Sequence, residues 1–168
     1  GTKFSVVRYG NVAGSRGSVL PFFRKLINEK NKFLPITDIK MTRFWITLDQ
    51  GVLLVENSFK RMVGGEIFIP IIPSLKIIDL AKSISSSAKL KIIGIRPGEK
   101  IHEQMISKDD AFYTYEYEDY FKILPAINHW SSDERRINGG KLVPSDFSYS
   151  SDLNQDWMSK EELRDWIK

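Results

Sequence analysis

Residues 4–23 read FSVVRYGNVAGSRGSVLPFF, and this stretch constrains the chain more than any other. Phe4 to Val7 is apolar, and the run through Arg8 has too few polar residues for a half-exposed face. That predicts an inner strand of a parallel sheet, covered on both sides, and so an α/β fold. The chain then breaks at Tyr9, Gly10 and Asn11. A loop with Gly14, Ser15, Arg16, Gly17 and Ser18 follows, and then a helix with Pro21 in its first turn and Ser18 as N-cap. Ligands of open α/β sheets gather beyond the carboxyl ends of strands, where Tyr9–Val12 falls. Backbone N–H groups, a helix N-terminus and Arg16 together suit an anion. An ordinary strand-to-helix turn has the same composition, and both readings stand on these residues alone. The amide of Asn11 can donate and accept at the same spot.

Composition narrows the classes. With 168 residues, 42% of them hydrophobic, the chain can bury a real core. The absence of cysteine excludes a disulfide frame, a Cys-based metal site and a Cys nucleophile, and it fits a reducing cytoplasm. No apolar run reaches membrane-spanning length, so no membrane partner is expected. A net charge of +4 suits a small anionic ligand without calling for nucleic acid. The aromatics Tyr113, Tyr115, Tyr117 and Tyr120 sit among Glu116, Glu118 and Asp119, which argues further against nucleic acid. His102 and His129 are far apart, with no triad spacing, and no metal site is expected.

Four motifs occur in order: RYGNV, GSRGSVLPFF, TRFWIT at Thr42–Thr47, and IRPGEKIHE at Ile95–Glu103. Together they resemble the C-terminal half of an extended short-chain dehydrogenase/reductase. More narrowly they resemble UDP-N-acetylglucosamine 4,6-dehydratases of the inverting type, which begins pseudaminic-acid synthesis for flagellin glycosylation. The resemblance implies the last strands of a Rossmann-like sheet plus a small α/β substrate-binding domain. Residues 1–168 would be the substrate-binding half, with 1–12 adding a late Rossmann strand. It also implies tightly held NADP, UDP-N-acetylglucosamine as substrate, a homo-oligomer and a cytoplasmic setting. In the family reaction C4 is oxidised by hydride transfer, the C5 proton and C6 hydroxyl leave, and the hydride returns to C6.

The same resemblance assigns residues. Tyr9, Gly10 and Asn11 would lie on the nicotinamide side of the cofactor, with Asn11 also facing substrate. Val19, Leu20, Pro21, Phe22 and Phe23 would run along UDP, mainly by backbone, with the aromatic side chains as core. Arg43 would reach the nucleotide, by a two-bond grip on phosphate or by stacking on uracil. Arg96 would clamp the diphosphate, and Glu99 would orient it or hold the ribose. A polar side chain near Asn154 or Gln155 would touch the nucleotide. Without the resemblance, Arg43 reads as a surface charge and Arg96–Glu99 as a surface pair.

No GxGxxG-type fingerprint follows a strand in this sequence, and the family's Tyr-x-x-x-Lys pair would lie before residue 1. Gly1 therefore reads as a cut or cloning remnant, the dinucleotide-binding half is expected as a partner, and no catalytic residue is assigned here. A non-catalytic UDP-sugar module, an assembly domain and a related epimerase remain alternatives.

Further along, the alternation of Arg43 and Trp45 against Phe44 and Ile46 predicts a strand with two unlike faces. Thr47 and Gln50 frame a capping box. Leu48, Val52, Val55, Phe59 and Met62 predict a helix stripe buried against its own chain. Gly64–Gly65 ends that helix, and Ile67–Ile72 is core or a subunit contact. A helix from about Ile78, a strand over Lys89–Ile95, and a tight turn at Pro97–Gly98 follow. The turn is predicted to launch a helix carrying His102, Met105 and Ile106. Phe112–Pro125 reads as a strand or hairpin, and Asn128–Lys141 as a mobile surface loop with Arg135 and Arg136 solvated. Ser159 to Glu162 is a capping box for a last helix.

Overall fold

The computed structural model describes residues 1–127 and 129–167, so Asn128, where the polar loop was expected to begin, lies outside the described residues. In chain order the first elements are β1 (Val6–Val7), β2 (Asn11–Val12), α1 (Val19–Asn28), β3 (Phe33–Ile36), β4 (Thr42–Ile46) and α2 (Leu48–Arg61). Next come β5 (Ile67–Pro70), β6 (Ser74–Lys76), α3 (Ile77–Ile84), β7 (Lys89–Ile92), β8 (Gln104–Ile106) and α4 (Lys108–Ala111). The last are β9 (Thr114–Glu116), β10 (Tyr120–Ile123), α5 (Glu134–Ile137), β11 (Lys141–Leu142), β12 (Tyr149–Ser150) and α6 (Lys160–Trp166). They form two compact units. The first holds Gly1–Tyr9, Asp49–Ile71 and Gln104–Ser150; the second holds Gly10–Leu48, Ile72–Glu103 and Ser151–Lys168.

The first unit is built on a sheet of order β1-β5-β10-β9-β11. β1 and β5 are parallel, with Val6 opposite Ile67, and α2 is the crossover that a parallel pair requires. β10 runs antiparallel to both β5 and β9, which confirms the expected hairpin. Phe68, Ile69 and Phe121 are buried, so the apolar run after Glu66 is core. Phe121 packs 5.2 Å from the Phe147 ring and 5.1 Å from Tyr149.

Three expectations for this unit fail, each for a non-local reason. β1 is the end strand among the described residues, not an inner one, and Val6 is 54% exposed because no described strand pairs on its other side. The stripe on α2 faces out: Val52, Val55 and Phe59 are exposed, while the small residues Gly51 and Ser58 are buried. Helical periodicity reveals an apolar stripe without showing which partner covers it. Arg136 is not solvated. It lies buried on α5, paired with Glu66 at 3.4 Å and stacked 4.0 Å from the Trp130 ring, whereas Arg135 is exposed.

The second unit pairs β2 with β4 in parallel and β4 with β6 antiparallel, and joins β3 to β7 in a separate parallel pair. Its core gathers Leu20, Phe23, Leu34, Ile36, Trp45, Leu75, Leu80 and Leu163. At the entry to β2, a Cβ on Gly10 would lie 2.5 Å from the Phe44 Cβ and 2.6 Å from the Phe44 carbonyl oxygen. Glycine alone lets β2 approach β4 this closely. α6 begins as expected: Ser159 N–H donates to Glu162 Oε2 (2.7 Å), and Glu162 N–H to Ser159 Oγ (3.1 Å).

Two expectations change here. Phe44, Trp45 and Ile46 are all buried, so β4 lacks the two unlike faces its alternation suggested; only Arg43 is partly open. The turn at Gly98 (φ +82°) forms, but no helix follows it. Ile101 O accepts from Thr42 N–H (3.0 Å) and Glu103 O from Ser151 N–H (2.8 Å), so carbonyls that a helix would use are taken by distant strands. His102 therefore sits in a bend ahead of β8.

Candidate functional site

The second unit contains a cavity of about 680 Å³, within the usual range for small-molecule sites. Of the residues singled out from the sequence, Asn11, Val19, Pro21, Phe22, Phe23, Arg43, Arg96 and Glu99 line it. Leu20 points into the core instead. Asn154 is used structurally, its Nδ2 donating to Ile72 O (2.9 Å), Ser74 Oγ (3.1 Å) and Asp156 O (2.9 Å). Neither Asn154 nor the exposed Gln155 is on the cavity wall, and Gly10 packs on Phe44. Tyr9 closes a segment of the first unit. Gly17 and Ser18 on the wall come from the loop read as suited to an anion, whereas sequence reasoning missed Lys25, Pro35, Thr37, Met41, Ile77 and Ile93. Lys25 could have been found, because it lies one helical turn from Pro21 on the same face.

One side of the cavity is the N-terminus of α1. Ser18 is its N-cap with extended backbone, yet the side chain makes no capping bond. Its Oγ is buried with no partner among the described residues. The first-turn N–H groups of a helix lack intrahelical acceptors, and no acidic side chain occupies this turn. This end of the cavity therefore presents donors and partial positive charge.

Arg96 and Glu99 form the opposite charged element, on a turn shaped by Gly94 and Gly98, both at positive φ. Arg96 Nε and Nη2 donate to Glu99 Oε1 at 2.9 and 2.6 Å. Glu99 Oε2 accepts from Arg96 N–H (3.1 Å) and from Thr37 Oγ1 (3.3 Å). The hydrogen bond to Glu99 raises the Arg96 pKa, and the bonds from Arg96 hold the Glu99 carboxyl below its ordinary value. The Arg96 side chain stays 67% exposed, so its remaining donors are open to a ligand.

Arg43 is tied down more fully. Nη1 donates to Thr42 O (2.7 Å) and Ile101 O (3.0 Å), and Nη2 donates to Lys100 O (2.8 Å). Nε lies 3.6 Å from Glu103 Oε1. Burial lowers the Arg43 pKa against the pull of Glu103 and Glu99. Burial raises the Glu103 carboxyl against Arg43, the Phe44 N–H and Lys100. With the Asn11 amide nitrogen turned to Glu103, it donates to the two carboxylate oxygens at 3.1 and 3.2 Å. Behind them Thr42 Oγ1 lies 2.8 Å from His102 Nδ1 and 2.7 Å from Ser151 Oγ. Among the described residues no group of three His, Cys, Asp or Glu side chains could hold a metal ion.

A family described as "Polysaccharide biosynthesis protein" has a sequence model that matches residues 1–125. The chain belongs to that family. Within it and near it, the chain is 56% identical to "UDP-N-acetylglucosamine 4,6-dehydratase (inverting)" of Campylobacter jejuni, over 99% of this chain and 51% of that protein. It is 40% identical to a "UDP-glucose 4-epimerase" of Rickettsia canadensis, over 99% of this chain and 49% of the relative. The X-ray structure of Pen from Bacillus thuringiensis superimposes with a TM-score of 0.83 at 35% identity, over 98% of this chain and 49% of that one. The chain thus spans about half the length of the curated relatives it matches. The polysaccharide-biosynthesis family assignment bears out the resemblance carried by the four motifs. The α/β fold, the C-terminal part of an extended short-chain dehydrogenase/reductase, is the one expected. No described helix is long and apolar enough to cross a membrane.

Proposed function

We propose that this chain is the UDP-sugar-binding half of a C5-inverting UDP-N-acetylglucosamine 4,6-dehydratase. The observation that carries the reading is the second unit's cavity, where Asn11, the α1 N-terminus, Arg43, Arg96 and Glu99 converge. These groups are separated by up to 88 residues in sequence and line one cavity, as the recognition of a single anionic ligand requires. The α1 N-terminus and Arg96 would take the diphosphate, Glu99 would keep Arg96 oriented or hold the ribose, and Arg43 would border the nucleotide. The 56% identity to the Campylobacter jejuni enzyme supports the dehydratase over the epimerase, since the Rickettsia canadensis epimerase is 40% identical.

The cofactor of the whole enzyme would be NADP, with Tyr9, Gly10 and Asn11 bordering the nicotinamide. When bound, the nicotinamide supplies the temporary hydride acceptor for oxidation at C4. Gly10 is kept bare by Phe44 of β4, whose Cβ lies 2.5 Å from where a Gly10 Cβ would be, so its packing is accounted for within the chain. The same proposal extends to a dinucleotide-binding Rossmann half as partner, a homo-oligomer, and cytoplasmic synthesis of pseudaminic acid for flagellin. The open edge of β1 and the outward stripe of α2 are where that Rossmann half would continue the first unit's sheet and cover its helix.

Calorimetric titration tests the binding step: UDP should bind with a dissociation constant well below about 1 mM, the point at which binding amounts to only ~4 kcal/mol. Millimolar or weaker binding would favour an assembly role. Joined to a dinucleotide-binding half, the chain should convert UDP-N-acetylglucosamine to a 4-keto-6-deoxy sugar inverted at C5, read by NMR. A C4 epimer as product would replace the dehydratase reading with the epimerase.

A further inference from the structure

Asn11 and Arg43 line the cavity, and both are held from behind by one carboxylate that does not line it. The Asn11 amide nitrogen is 3.1 and 3.2 Å from the two Glu103 oxygens, and Arg43 Nε is 3.6 Å away. The Phe44 N–H bonds to the same carboxylate. Glu103 is itself fastened at both backbone groups: its N–H donates to Ser151 Oγ (2.9 Å), and its carbonyl accepts from Ser151 N–H (2.8 Å). Ser151 is in turn bonded to Thr42, on the strand that carries Arg43. The carboxylate is therefore a fixed acceptor with three donors converging on it.

An amide has two unlike ends. With the nitrogen of Asn11 committed to Glu103, the oxygen is directed away from it. We infer that Glu103 is a positioning residue: it fixes the Asn11 amide so that the site meets its ligand with a carbonyl oxygen, an acceptor matched to a sugar hydroxyl or an acetamido N–H and not to a phosphate. This rests on the proposal that the cavity takes a UDP-sugar, and it divides the work within that ligand. Arg96 and the α1 N-terminus take the anionic part, and the Glu103–Asn11 pair reads the donor groups of the sugar.

Burial gives the arrangement an electrostatic cost. Burial raises the Glu103 carboxyl, and the groups facing it are Arg43 and the Phe44 N–H of β4, Asn11 of β2, and Lys100 of its own segment. A raised folded-state pKa means that this group favours the folded chain at low pH. That contribution is lost as the pH rises through the raised value. Ionising Glu103 at neutral pH thus lowers stability relative to low pH.

The test uses UDP and UDP-N-acetylglucosamine as calorimetric probes on the wild-type chain, E103Q, E103D and R96A. Glutamine offers one acceptor in place of two and brings its own N–H₂ against donors. E103Q should lose about tenfold in affinity for the sugar nucleotide and much less for UDP, with Tm read alongside to show that the variant is folded. E103D, which keeps the charge, should recover part of that loss. In the wild type, the ratio of the two affinities should fall with acid at a pH above the ordinary glutamate range; in E103Q it should stay flat. The ratio cancels the titration of the diphosphate. If R96A weakens both ligands while E103Q changes neither, or loses affinity for both equally, the inference is wrong and the UDP-sugar reading survives. If the wild type binds neither ligand, both fall. If E103Q does not fold, a wild-type ratio independent of pH, or an E103D affinity no better than that of a neutral site, overturns it.

Discussion

The two units use their polar groups to opposite ends. In the first unit Glu66 is almost fully buried and accepts from Ser5 Oγ (2.7 Å), Val63 N–H (2.9 Å), Gly64 N–H (2.8 Å) and Arg136 (3.4 Å). Arg136 also donates to Gly64 O and lies on the face of Trp130. Around Glu66 the network closes on itself except at Arg136 Nε, which has no hydrogen-bond partner among the described residues and lies 3.6 Å from Asp133 Oδ2. In the second unit Arg96 is open to solvent and Ser18 Oγ is buried without a partner among the described residues. A closed polar network holds a fold together, whereas open donors in a concave wall wait for a ligand.

The largest expected effect breaks the closed network. Glu66→Ala leaves the buried Arg136 guanidinium with Asp133 Oδ2, 3.6 Å from Nε, as its remaining ionic partner, which should cost ~3 kcal/mol of folding stability in urea titrations. Burial works to raise the Glu66 pKa, but the bonds from Ser5, Gly64 and Val63 outweigh it and the net shift is downward. Its contribution is therefore present above the unfolded-state pKa and lost as pH falls through the lower folded value. The wild type should show this acid loss, and the variant should lack it. A variant as stable as the wild type would show that the pair is not structural.

Next comes Gly10→Ala, in the second unit beneath the site. The added methyl meets backbone and Cβ of Phe44 at 2.5–2.6 Å, neither of which can swing aside. Overpacking of this kind costs ~1–3 kcal/mol, visible as a lower Tm. An unchanged Tm would mean that β2 and β4 can separate, and that glycine serves only what lies above it.

Lys122 sharpens the contrast from within the first unit. It is buried, with Nζ 3.5 Å from Ile137 O and 4.7 Å from the Tyr117 ring, and burial lowers its pKa to about 8. Below pH 8 the lysine is charged in both folded and unfolded chains, at a cost to the fold. As pH rises from 8 towards the ordinary value of 10.5, the folded chain releases its proton first and stability rises. Lys122→Met should therefore raise stability at pH 7, by about 1–3 kcal/mol, and abolish that alkaline rise. A destabilised variant would place Lys122 among the needed members of the network.

These effects also mark what could be read from the chain. Local signals were legible: Ser18 and Pro21 at the start of α1, the β9–β10 hairpin, and the Ser159–Glu162 box are set by neighbours within a few residues. The cavity's charged wall was legible only through the order of motifs, because Asn11, Arg43 and Arg96 have no local reason to meet. What stayed hidden depends on distant partners. The outward stripe of α2 and the end position of β1 turn on what pairs with them. The missing helix after Gly98 turns on Thr42 and Ser151 claiming its carbonyls. Arg136 looked solvated because Glu66, its partner, is 70 residues away.

Within the second unit, Arg96→Ala removes an open charge. UDP affinity should fall about tenfold, the loss of one charge-assisted contact, while Tm stays put because the side chain is mostly exposed. Equal affinity would return Arg96–Glu99 to the status of a surface pair.

The smallest effect is the most discriminating. Ser18→Ala deletes a buried hydroxyl that makes no capping bond and has no partner among the described residues. At an ordinary N-cap this change costs ~1 kcal/mol, because a helix donor loses its acceptor. Here the side chain caps nothing, so removing it should leave Tm unchanged or slightly higher. If the hydroxyl is kept for a ligand oxygen, UDP affinity should fall about three- to fivefold, the size of one neutral hydrogen bond. The two readouts then move apart, as they would for a polar group held unsatisfied until the cavity is filled. A drop in Tm with no change in UDP affinity would invert the assignment, making Ser18 part of the closed, structural kind of polar network that Glu66 represents.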